Sequence, residues 1–189
     1  MYHKQYFETI KCEDYKVYNL TYHQQRIART IGQNIALNEY IYPPNANLLK
    51  CKVIYDENGI IDILYDLYTQ KFIQKFKLIY DNSIIYNQKT LNRTNIHNLY
   101  LQKESADEII IIKNNLVTDT SIANIAILYQ NQWITPKYPL LEGTTKARYI
   151  QNDLLKPANI TVKMLLNSTK IALLNSMIDF YIIDNYDII

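Results

Sequence analysis

The chain has 189 residues, enough for one generous domain or two small ones. Its 48% hydrophobic and 20% charged content excludes a disordered chain. A net charge of +2, with no run of five like charges, excludes a basic or acidic tail for nucleic acid or a membrane surface. No apolar run approaches the roughly 20 residues that a membrane span requires. Cys12 and Cys51 are isolated thiols without metal spacing, and no signal peptide opens the chain, so a reduced cytoplasm is the expected compartment.

Taken in order, residues 6–12 alternate and predict a strand, with a turn at Glu13-Asp14-Tyr15-Lys16 and a partner strand from Val17. Thr21 is placed to cap a helix running to about Gln33, with Tyr22, Ile27, Ile31 and Ile35 as its apolar stripe. After Pro43-Pro44, residues 50–55, 60–68 and 72–80 read as three strands, the first two joined by Asp56-Glu57-Asn58-Gly59. A sheet with one helix makes this first part α+β. The polar crossover 81–88 sets the expected boundary between a small N-terminal subdomain, 1–83, and a larger one, 84–189. In the second, residues 91–103 read as a helix, 133–135 as a short strand and 144–155 as a helix opened by Gly143. The stretch 162–165, a helix near 168–174 and a strand over 177–183 complete it.

The most informative stretch is 107–127, DEIIIIKNNLVTDTSIANIAI. Four consecutive isoleucines, 109–112, predict a strand buried on both faces. Asn114-Asn115 tolerate φ > 0 and predict a hairpin. The return limb holds Thr118-Asp119-Thr120-Ser121 and Asn124, a polar knot between apolar runs with neither Gly nor Pro, which suggests a fixed polar site rather than a solvated turn. Among sixteen Lys the chain keeps four Arg, at 26, 29, 93 and 148. Where Lys is the default cation, a retained Arg marks a place where a planar, bidentate fork is needed.

VTDTSIANIAI resembles the cofactor-binding hairpin of the class IV pyridoxal-phosphate (PLP) enzymes, which include branched-chain aminotransferases, D-amino acid transaminases and 4-amino-4-deoxychorismate lyases. Lys89-Thr90-Leu91-Asn92-Arg93 resembles the lysine segment of the lyases, and Gly143-Thr144-Thr145-Lys146-Ala147-Arg148 resembles their phosphate-binding turn. FETIKCEDYKVYNLTYHQQR resembles the family's opening, with His23 and Arg26 as its His-x-x-Arg. The motifs stand in family order, and the resemblance runs from about Tyr6 to Asp184. It implies an N-terminally short version of the two-subdomain PLP fold type IV, like that of D-amino acid aminotransferase.

The resemblance also implies roles. Lys89 carries the cofactor and moves protons, its amine made reactive by partial burial and by Arg93. Asp119, where the family usually has Glu, faces the pyridine nitrogen. Thr144 and Thr145 hold the phosphate at a helix N-terminus, with a bidentate fork from Arg26 and a further contact from Asn175-Ser176. Thr9 faces the substrate, and His23 packs structurally. The histidines 3, 23 and 97 are too scattered for a metal site, so none is expected. KTLNR lies nearer the lyases than the aminotransferases, so the implied reaction is conversion of 4-amino-4-deoxychorismate to 4-aminobenzoate and pyruvate, a step of folate biosynthesis. The alternatives are an aminotransferase acting on a small or branched-chain amino acid and a PLP-fold binding module without catalysis. A homodimer is implied by analogy.

Overall fold

A computed structural model describes residues 3–189, and chain contacts divide it into two compact units. The first contains the chain up to Gln70 together with Gln88–Asn92; the second contains Lys71–Asn87 and Arg93–Ile189.

In the first unit β1 (Tyr6–Glu13) lies between β2 (Lys16–Val17) and β3 (Leu49–Asp56), and β4 (Gly59–Leu67) continues the antiparallel sheet. The alternation of β1 and β3 sends Tyr6, Ile10 and Cys12, with Leu49, Cys51, Val53 and Tyr55, to one face, where Ile27 of α1 (Leu20–Ile31) packs against them. The helix begins one residue before the expected cap: Asn19, in the left-handed conformation at φ 56°, takes that place, and Thr21 lies inside the helix. Segment Gln88–Asn92 attaches to the start of β1. The Phe7 N–H donates to Lys89 O at 2.9 Å, the Leu91 N–H donates to Gln5 O at 2.9 Å, and Tyr6 pairs with Thr90.

The second unit is built on one sheet of nine strands among the described residues. Strand β5 (Lys75–Tyr80) runs parallel to β6 (Glu108–Lys113), and the connection between them includes α2 (Thr94–Tyr100). The antiparallel strands β7 (Leu116–Thr120), β8 (Asn124–Tyr129) and β9 (Gln132–Pro136) follow. After α3 (Thr144–Gln151) come β10 (Lys156–Ala158), parallel to β9, then α4 (Val162–Leu166), β11 (Lys170–Asn175), β12 (Asp179–Ile183) and β13 (Asp187–Ile188), parallel to β5. The isoleucine run is buried on both faces, as its lack of alternation predicts. Ile110 and Ile112 pack with Phe76, Ile125 and Ile127, while Ile109 and Ile111 pack with Ile96 and Leu99 of α2.

The helix expected over 168–174 is strand β11, paired with β8 on one side and β12 on the other. Its core, Ile171-Ala172-Leu173-Leu174, is buried throughout, and a short apolar run carries no periodicity to separate strand from helix. The helix expected over 91–103 is shorter, because Leu91 is bound to the first unit's sheet; α-helix covers Thr94–Tyr100 and a 3-10 turn follows. No helix among the described residues is long and apolar enough to cross a membrane.

A chain with only three glycines forms several of its hairpin turns from other residues. Asp14-Tyr15, Asn114-Asn115 and Gln130-Asn131 all have positive φ, the type I′ geometry that matches strand twist. Tyr15, at φ 59° and 64% exposed, is the least suited to it. Replacing it should relieve about 1 kcal/mol of left-handed strain, partly offset by the freer unfolded chain. Tyr15→Gly is therefore expected to raise the urea midpoint slightly; a lowered midpoint would mean that the Tyr15 side chain contributes contacts outweighing the strain.

Candidate functional site

The first unit buries a compact charged cluster. Glu8 shares the inward face of β1 with Tyr6 and Ile10, and His23 and Arg26, three residues apart on α1, meet it there. Glu8 Oε1 accepts from Arg26 Nε at 2.7 Å, and Oε2 accepts from Arg26 Nη2 and from His23 Nδ1 at 2.6 Å. Burial pushes the Glu8 carboxyl up, but the Arg26 charge and hydrogen bond, with those of His23, outweigh it and hold it at about 2. Burial pushes His23 down, against the pull of Glu8, which favours the neutral imidazole with its proton on Nδ1. His23 Nε2 is buried without a partner. Arg26 is thus no surface residue: it is 7% exposed and gripped by a bidentate carboxylate.

On the opposite face of β1 lie Phe7 and Thr9. The Lys89 amine stands 4.5 Å from the centre of the Phe7 ring, and Lys52 approaches the same ring at 5.4 Å. The backbone bond from Phe7 to Lys89 sets this placement, so the first unit brings Lys89 to the strand that carries Thr9.

In the second unit, β7 and β8 meet through one ladder pair, Asp119 with Asn124, across a tight turn. Thr120 closes the turn with its hydroxyl, which accepts from the N–H groups of Ala123 at 3.0 Å and Ile122 at 3.3 Å. Ser121 is held at both ends of its backbone: its N–H donates to buried Glu108 at 3.1 Å, and its carbonyl accepts from Arg93. Arg93, expected beside Lys89, belongs to this unit and lies over the Tyr86 ring.

Asp119 is 5% exposed. Its Oδ1 accepts from Asn124 Nδ2 at 2.7 Å and its Oδ2 from the Leu141 N–H at 2.9 Å. Burial raises the carboxyl to about 7, more than these neutral donors and the charge of Lys146 offset. Asn124 Nδ2 also donates to Leu141 O at 2.8 Å. Two residues on, Gly143 opens α3, whose first residues Thr144, Thr145 and Lys146 are buried. A Cβ on Gly143 would lie 1.8 Å from Asn124 Oδ1, so only glycine fits there. Asn175 turns β11 into β12: its Oδ1 accepts from the N–H groups of Met177 at 2.9 Å and Ile178 at 3.1 Å.

The class IV amino-transferase family model matches residues 65–186. The chain belongs to that family. It is 30% identical over 182 residues to an uncharacterized protein of Haemophilus influenzae, covering 90% of this chain and 96% of that one. A Haemophilus somnus protein, provisionally named a 4-amino-4-deoxychorismate lyase, superposes with a TM-score of 0.86 at 33% identity, over 94% of this chain and 98% of that one. A hypothetical aminotransferase of Mycobacterium tuberculosis in its PLP-bound form, at 15% identity and a TM-score of 0.76, covers 97% of this chain and 81% of that one and shares the fold. The fold expected from the motifs is therefore the fold this class IV chain has.

Two site residues escape a reading of the motifs alone. Glu8 occupies an inward position of an alternating strand, where a charge requires a partner, and His23-x-x-Arg26 supplies it. Asn124 stands in the polar knot, but its two acceptors lie five and seventeen residues away.

Glu8 and Asp119, both buried, have opposite effects on stability. Glu8 titrates below its ordinary 4.5, so its contribution is complete above that pH and is lost as pH falls towards 2. Glu8→Ala should cost about 3–5 kcal/mol by stranding Arg26 and should flatten the acid limb of a denaturation series; an unchanged acid limb would contradict the buried pair. Asp119 titrates above its ordinary 3.8, so the folded chain binds the extra proton and stability declines as pH rises from about 4 to 7. Asp119→Asn should remove that decline in cofactor-free protein, and a slope unchanged by the substitution would show that Asp119 ionises freely.

Proposed function

We propose that this chain is a PLP-dependent lyase converting 4-amino-4-deoxychorismate to 4-aminobenzoate and pyruvate. The observation that carries the cofactor reading is Asp119: a buried carboxylate hydrogen-bonded by neutral donors, close in the chain fold to a glycine-opened helix. No cation among the described residues is hydrogen-bonded to this acid, and a protonated ring nitrogen is a cation of matching size. The helix opening, with Thr144 and Thr145 buried beside first-turn N–H groups that have no partner within the helix, has the donor set for a phosphate dianion. These residues fit PLP.

In this reading Asp119 keeps the ring nitrogen protonated, Thr144 and Thr145 receive the phosphate, and Arg26, with Ser176 of the Asn175 turn, adds donors. Lys89 is the residue that attaches the cofactor. Bound PLP supplies an electron sink conjugated to the substrate's amine-bearing carbon. Lys89 Nζ takes the proton from that carbon and returns one to the departing enolpyruvyl methylene, leaving the aromatic amine and pyruvate. Thr9 faces the substrate. The choice of lyase over aminotransferase rests on KTLNR and on the likeness to the Haemophilus somnus protein. A cytoplasmic homodimer completes the proposal, and two buried free thiols, Cys12 and Cys51, suit that compartment.

Purified protein supplied with PLP should show a visible absorbance band that borohydride bleaches, and should release 4-aminobenzoate from 4-amino-4-deoxychorismate. Lys89→Ala should lose the band and at least about 10²-fold in rate. Amino transfer to a ketoacid, without 4-aminobenzoate, would establish the aminotransferase instead. A protein that takes up no PLP would be a binding module.

A further inference from the structure

We infer that Asn124 is a positioning residue, a strut that fixes the acid at 119 and the anion turn at 141–143 to each other, so that one amide sets the distance between the two cofactor-holding elements. This rests on the PLP reading for its ligand, but the strut itself is a property of the free protein.

The geometry is a closed ring. Asn124 Nδ2 has two hydrogens and directs one to Asp119 Oδ1 at 2.7 Å and the other to Leu141 O at 2.8 Å. The Leu141 N–H returns to Asp119 Oδ2 at 2.9 Å. Leu141 is thus gripped through both its backbone N–H and its carbonyl, by two side chains that already face each other across the β7–β8 ladder. A fourth contact locks the far side: the Gly143 backbone lies so close to Asn124 Oδ1 that no Cβ fits between them. From Gly143 the chain enters α3 directly, so Thr144 and Thr145 inherit the position the amide imposes.

The chemistry selects asparagine. Aspartate would put an oxygen where Nδ2 stands, against both the Asp119 carboxylate and the Leu141 carbonyl. Serine carries one donor hydrogen on a shorter arm and reaches one acceptor at most. Glutamine adds a methylene that the gap beside Gly143 does not admit. The loop's direct ties to the acid are backbone N–H groups of Leu140 and Leu141, and Asn124 adds the side-chain tie through the Leu141 carbonyl.

The test uses the full chain without cofactor first. In Asn124→Ala, amide hydrogen exchange should speed up at residues 140–147, while β6 and β11 keep their protection. Loss of protection across the whole sheet, or no change at 140–147, overturns the strut. Should Asn124→Ala fail to fold, Asn124→Ser and Gly143→Ala act on the same contact from its two sides and should give the same local pattern. The second measurement compares equilibrium binding of PLP with that of pyridoxal, which lacks the phosphate. In Asn124→Ala the preference for PLP over pyridoxal should fall by about tenfold or more, as expected when an anchoring group is displaced by about 1 Å. An unchanged preference overturns the inference. Wild-type protein that binds neither compound refutes the PLP reading alone, and the exchange result still decides the strut.

Discussion

A carboxylate taken out of water must find positive charge or keep its proton, and this chain presents both outcomes. Glu8 is fully buried, yet the guanidinium of Arg26 holds it at about 2. Asp119 is also buried, is bonded by an amide and a backbone N–H, and rises to about 7. Neutral dipoles orient an acid without compensating its charge. The contrast separates an acid paired with a cation from an acid bonded only by neutral donors. Perturbation of the second kind marks functional sites.

Around that acid, the fold removes freedom in successive layers. The isoleucine run of β6 is covered on both faces and gives the hairpin an unyielding base. Glu108, at the start of that strand, and Arg93, just before α2, hold Ser121 by its N–H and its carbonyl. Thr120 folds its hydroxyl back onto the turn. By the time the chain reaches Asn124, each residue from 119 onward has a backbone or side-chain anchor. A buried network of this kind rigidifies the turn because the groups of residues 119–124 that it joins are held from more than one element. The absence of glycine from the turn, which marks it as unusual in the sequence, follows from this: side-chain oxygens take over the role that backbone flexibility would otherwise have.

Much of this is legible in the chain itself, and the failures have physical causes. Four isoleucines without alternation can only be a strand enclosed on both sides or a piece of buried helix, and Asn114-Asn115 decides for the hairpin. The GTTKAR turn is readable because glycine before paired threonines is a local signal. Strand β11 is not, since KIALLN is too short to show a period and its partners, β8 and β12, are set by tertiary pairing. The truncation of α2 is equally hidden: Leu91 bonds to Gln5, far back in the sequence. Glu8 and Asn124 share this property. Each looks ordinary in its own segment and acquires its role from a partner on another element.

The single placement of glycine at 143 brings these strands of argument together. With three glycines in 189 residues, the chain places left-handed Asn, Asp, Gln and even Tyr in most of its hairpin turns and uses glycine at the β3–β4 turn, at Gly59. At Gly143 the backbone is extended, at φ −75°, and needs no conformational licence. What it needs is the missing Cβ, because Asn124 Oδ1 fills that volume. A residue that is dispensable by φ and required by volume identifies a close approach as the selected feature, namely the approach of the turn at 141–143 to the amide that holds the acid. The same exclusion explains why acid, amide and turn have to be considered as one unit: moving any of them requires moving the other two.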